Sequence, residues 1–280
     1  MIEILNTLFQ IAILIFVVAT MLSMGLGLRV KEIITPLKNF KLVTVVIVTN
    51  FLLIPLSVLG INMIVPIDEG TKIALIILSL SAGAPFTPKL VEIAKSDTAL
   101  ATAVMLLLMV TTVILLPLAL PIFIGGDISV DSLAIAKSLV IMMILPLIIA
   151  LFIKTKRDAL ALKWQVIMVK LSNFSLLGII IIMSILHGKA ITDIIGYDML
   201  AIVLFMLITL FIGYVIGGKF YTKRVVSSLA AGQRNISAAL VVAAQNFTDN
   251  PKVSIIIIAV SIIGLFILLF SAKSFQRTIK

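Results

Sequence analysis

Nine stretches of this chain are each close to the roughly 20 apolar residues that span the hydrocarbon of a bilayer. They lie at about 7–28, 42–62, 71–95, 98–122, 132–155, 165–186, 197–218, 225–247 and 252–273. Apolar residues make up 62% of the 280 and charged residues 12%; no water-soluble fold of this length hides so much apolar surface. Inside a bilayer every backbone polar group must be satisfied without water, so repeated spans of this length are helices. The expected fold is therefore an all-α integral membrane protein. The connections are short and leave no room for a soluble domain. "RVKEIITPLKNFK" and "KTKRDALALK" read as interfacial segments, and "FIGGDISVD" and "NFTDNP" as turns. The N-terminus "MIEILN" has no basic region, so no cleavable leader is expected.

Charge placement gives orientation. Fifteen Lys and Arg residues fall on one side of the predicted spans, among them Arg29, Lys31, Lys38, Lys154, Lys156, Arg157, Lys223 and Arg277; four, Lys72, Lys137, Lys189 and Lys252, fall on the other. Positive charge stays cytoplasmic, which puts the N-terminus outside and the C-terminus inside the cell membrane. The net charge of +10 is thus topological, and no nucleic-acid partner is expected. Cys is absent, which excludes disulfides, thiol catalysis and cysteine-based metal sites. With no phosphate-binding loop, no His–carboxylate metal spacing and no Ser-His-acid set, neither an enzyme nor a cofactor or metal site is expected.

Two spans break the apolar pattern. The third, "KIALIILSLSAGAPFTPKLVEIAK", carries Gly83, Pro85 and Pro88; two prolines three apart remove donors and clash with the preceding turn. The eighth, "SLAAGQRNISAALVVAAQNF", sets Gln233, Arg234 and Asn235 beside Gly232 at mid-span. A charge there costs about 2.5–3.5 kcal/mol on insertion scales, so a role or an internal partner is required. Paired interrupted spans are the sequence sign of a secondary transporter, whose solute site lies where the breaks meet. The candidate solute-binding residues are Arg234, Asn235, Gln233, Lys89, Thr87 and Asn50, with Gly83, Pro85, Pro88 and Gly232 shaping the broken backbone. Lys89 could equally pair with Glu92; Lys170, Ser172 and Asn173 give the sixth span a polar face. His187 reads as a loop-edge residue and Trp164 as an interface anchor.

Four stretches, "MLSMGLGL", "TNFLLIPL", "SAGAPFTPKLVEIAKSDTALA" and "AAGQRNISAAL", occur in the order and spacing of the bile acid:sodium symporter superfamily, which the chain resembles over nearly its whole length. The resemblance implies a core domain with two crossed broken helices, a panel domain, and alternating access. It also implies inverted repeats, here 1–122 with four spans and 123–280 with five. In sodium-coupled members the first ion is held at positions that correspond to Thr87, Pro88, Ala101, Met105 and Ala230. The second uses those of Ala230, Arg234 and Asn50. The shared carboxylate is thus Ala230 here, and only Thr87 keeps a side-chain ligand at the first ion. Arg234 and Lys89 are expected to stand as fixed cations in place of the ions. The expected activity is secondary transport of a small organic anion, with a coupling sodium ion or proton left open. The alternatives are a sodium-coupled symporter using backbone ligands, an arsenite- or auxin-carrier-like permease, and, in another class, a channel or sensor on a transporter fold.

Overall fold

The computed structural model describes residues 2–28, 40–125 and 131–278. Arg29, Lys31, Lys38 and most of the first interfacial segment lie outside them, as does Asp127 in the predicted turn at 123–131. The described residues are helical and connecting, without a strand. In chain order the helices are α1 (Ile2–Gly27), α2 (Phe40–Ile64), α3 (Glu69–Leu80), α4 (Thr87–Ile93), α5 (Thr98–Ile124), α6 (Ser132–Lys156), α7 (Asp158–Thr192), α8 (Tyr197–Ile216), α9 (Tyr221–Gly232), α10 (Ile236–Asn246) and α11 (Pro251–Thr278). Among the described residues eight segments are long and apolar enough to cross a membrane, counting α9–α10 as one. The third predicted span, 71–95, is split into α3 and α4, each too short to cross alone. The chain is an all-α integral membrane protein.

Local sequence explains the irregularities. In α2 the ring of Pro55 clashes with the carbonyl four residues back and offers no N–H. The preceding turn widens to a π-turn over Thr49–Leu53, closed by Ile54 N–H donating to Thr49 O. Pro146 does the same in α6, where the π-turn is Val140–Ile144. Asp68, Asp97 and Asp131 cap α3, α5 and α6 by accepting from first-turn amides at 2.9–3.0 Å. The predicted interfacial segment "KTKRDALALK" is instead helix on both sides of Arg157, because Asp158 starts α7 and pairs with Lys154 at 2.6 Å. α7 runs far past the predicted 165–186 and kinks at His187 (φ −133°).

The helices sort into two groups. α1 lies along α7 and α6. There Gly25 lets the backbones close: a Cβ on it would stand 2.6 Å from the Ala150 side chain. Ala19, Leu26, Ala150, Ala161 and Met168 fill the seam. The other helices, α2 to α5 and α8 to α11, build most of the larger apolar core, which residues of α1, α6 and α7 such as Met21, Leu139 and Ile179 join from the side. At one end of this second group Lys252 bridges Asp68 and Asp198 (2.7 Å to Asp198), tying together the starts of α3, α8 and α11. Burial by itself raises the Asp68 carboxyl. Hydrogen bonds from Lys252 and the Thr71 N–H, with the Lys252 charge, outweigh this and hold it below the usual carboxylate range.

Candidate functional site

The two broken helices meet at their breaks, as the sequence predicts. The first break leaves helix after Leu80 and resumes it at Thr87, with Pro88 in the first turn of α4, where a missing N–H costs nothing. Gly83 takes φ +79°, and a Cβ there would come 2.2 Å from Met109 N, so the position admits glycine alone. Thr112 of α5 clips this extended stretch: its hydroxyl accepts from Ala82 N–H and donates to Ala82 O, both at 2.9 Å.

Asn235 stitches the second break to the first. Its N–H donates to Ser81 O (2.8 Å), its side-chain amide donates to Gly83 O (3.2 Å), and its Oδ1 caps α10 by accepting from Ala238 N–H (3.1 Å). Gly232 is wedged between Leu210 and Leu268, with no room for a side chain.

Arg234 is 2% exposed. A guanidinium has five N–H donors, and each makes a bond. Nε donates to Ser81 O at 3.4 Å. Nη1 donates to Asn50 Oδ1 at 3.3 Å and Ala231 O at 3.1 Å. Nη2 donates to Asn50 Oδ1 and Ser79 O, both at 3.3 Å. Ser79, Ser81 and Ala231 present the C-terminal ends of α3 and α9, the negative poles of both half-helices, to the cation. Asn50 arrives from the π-turn of α2, oriented by its own amide donating to Val46 O at 3.0 Å. No carboxylate pairs with Arg234 among the described residues. Its charge is solvated by dipoles and stays uncompensated.

Lys89 is not brought to the crossing. Its side chain is 57% exposed and pairs with Glu92 at 2.9 Å, because it sits three residues from that carboxylate on the exposed face of a short helix. Thr87 is buried beside the break with its hydroxyl unpartnered; Gln233 is half-buried, with Oε1 unpartnered. Ala101, Met105 and Ala230 are buried apolar positions.

A cavity of ≈ 820 Å³ lies between the two helix groups, against the crossing. One wall is α1 and α7, with Thr20, Ser23, Gln165, Ser172 and Asn173; Thr20 and Ser172 bond each other at 2.6 Å. The facing wall includes Pro85, Pro88, Gln233, Asn235 and Ser237, with Ser261 of α11. Among the described residues no Asp or Glu lines it, and its one charged residue is Arg234. Ser237 stands in the first turn of α10, 3% exposed, and neither its N–H nor its hydroxyl has a partner among the described residues. Sequence reasoning missed Ser237, Thr112 and Thr20, since lone hydroxyls in apolar spans usually bond their own helix. Trp164 is about half exposed and His187 marks the α7 kink, both away from the crossing.

Two half-helix pairs touching at their breaks, with a polar-walled cavity alongside, are an arrangement found in membrane carriers, where irregular backbone lines a solute path. A model of the Sodium Bile acid symporter family matches residues 12–196; the chain belongs to that family, one of membrane transporters. The match stops before α9 and α10, so Arg234 lies outside it. No curated protein matches the chain.

Proposed function

We propose that this chain is a secondary carrier of small organic carboxylates that works by alternating access and does not require sodium. The observation that carries the reading is the closed hydrogen-bond shell of Arg234. The resemblance gives Ala230, Arg234 and Asn50 as counterparts of second-ion ligands, and here the guanidinium rests on Asn50 and the carbonyls of both half-helix ends. It is a covalently tethered cation where a mobile one would sit. At the first ion Pro88, Ala101, Met105 and Ala230 offer no side-chain oxygen.

The same shell changes how an anion is attracted. With all five donors engaged, Arg234 has no free fork for a carboxylate, and Lys89 is elsewhere. The attraction is by field: at an effective dielectric near 20, a charge about 8 Å away contributes roughly 2 kcal/mol. The hydrogen bonds come from the N-terminus of α10, where Ser237 lines the cavity, its N–H and hydroxyl have no partner among the described residues, and the helix dipole favours negative charge. Gln233 and Asn173, which line the same cavity, are the candidates to read the rest of the solute.

The test is uptake of labelled small carboxylates into proteoliposomes with sodium replaced by choline. Undiminished uptake supports the reading. Uptake that vanishes without sodium refutes it.

A further inference from the structure

A second pocket, ≈ 220 Å³, lies farther along the same cleft between α7 and α11. Its lining is apolar except for Ser184. Met183, Ile194, Ile255 and Ile258 form a buried floor, and Ile195 and Met199 an exposed rim. Ile180 of α7 and Ile262 of α11 line both this pocket and the main cavity, so the two spaces adjoin at that pair. One end of the path is therefore polar and positively biased, at Ser237 and Arg234. The other end is a hydrocarbon slot.

We infer that the slot is a subsite for the alkyl tail of a straight-chain carboxylate whose head sits at α10; the inference rests on the carboxylate reading above. The length is set by the helices. From Ser261, level with the main cavity, to Ile255 on the slot floor is six residues of α11, about 9 Å at 1.5 Å per residue. An extended chain advances about 1.2 Å per bond, so seven or so bonds reach the floor. A tail that reaches the floor from a head in the main cavity thus has at least about eight carbons. Shorter tails leave the slot unfilled; longer ones meet the floor of Ile255 and Ile258.

The measurement is displacement of labelled butyrate from the full chain in lipid nanodiscs, free of detergent tails, by unlabelled butyrate, hexanoate, octanoate and decanoate. Each methylene buried should tighten binding about fourfold, with the gain persisting at least to octanoate. Ala259→Phe, which fills the slot, should leave butyrate displacement unchanged and bring octanoate down to the level of butyrate. Should Ala259→Phe fail to bind butyrate, Met199→Asn, which makes the rim polar, replaces it with the same expectation. A length dependence that is flat, or that survives in the slot variant as lipid partitioning would, overturns the tail subsite while leaving the head site intact. Failure of butyrate itself to bind the unaltered protein overturns both.

Discussion

Replacing Arg234 by Ala exposes the terms that hold the crossing together. The substitution leaves three acceptors without a partner, Asn50 Oδ1 and the carbonyls of Ser79 and Ala231, while Ser81 O keeps the Asn235 N–H. A buried polar group left unpaired costs about 1–3 kcal/mol. The low end applies here, since the cavity adjoins the crossing and admits water, which gives a loss of about 3 kcal/mol. Against this, the variant no longer buries a charge, which costs about 2.5–3.5 kcal/mol on insertion scales. The two terms nearly cancel, so stability should stay within about 1 kcal/mol of the parent, or about 2–4 °C in Tm for a chain of this size. The protein should fold, and carboxylate transport should fall to background because the fixed positive field is gone. The space left behind is ringed by oxygen atoms, the ligand set a hard cation takes. Thermal unfolding of Arg234→Ala should therefore rise in sodium chloride relative to choline chloride, while that of the unaltered protein should not respond. A variant that does not fold, or an unaltered protein whose Tm climbs with sodium, would sink the reasoning.

Three further outcomes are expected. Thr112→Val should lose about 2 kcal/mol of stability by orphaning both Ala82 groups, read as Tm, whereas Thr112→Ser should stay near the parent; equal losses would rule out the hydroxyl clip. Lys252→Met should cost roughly 1–3 kcal/mol by leaving the buried Asp198 unpaired. Because the Asp68 carboxyl is held below its usual range, its contribution should be complete above its unfolded pKa of about 3.9 and be lost only as pH falls below that; a loss of Tm in Asp68→Asn equal at pH 3 and pH 7 would contradict this. For the orientation read from Lys and Arg, a cysteine at Asp249 should label from outside the cell and one at Lys219 from inside, against a background free of native thiols; the reverse pattern would overturn it.

Much of the fold follows from the sequence because a bilayer leaves the backbone so few options. Long apolar runs must be helices, Pro85 and Pro88 argue against an uninterrupted one, and the polar run at Gly232–Asn235 marks a second interruption; the structure breaks both spans at those residues. A central Arg in an apolar span likewise demands partners, but the sequence cannot say which. Lys89 and Arg234 read alike as intramembrane cations, yet one meets solvent and Glu92 while the other is sealed inside. That difference is tertiary. The acceptors of Arg234 are mainly backbone carbonyls, freed only where two half-helices end and gathered only when those ends cross. Carbonyls are common to every residue, so no side-chain pattern marks them. For the same reason the engagement of all five donors, which turns Arg234 from a hand that grips an anion into a fixed charge that draws one, was decided by packing.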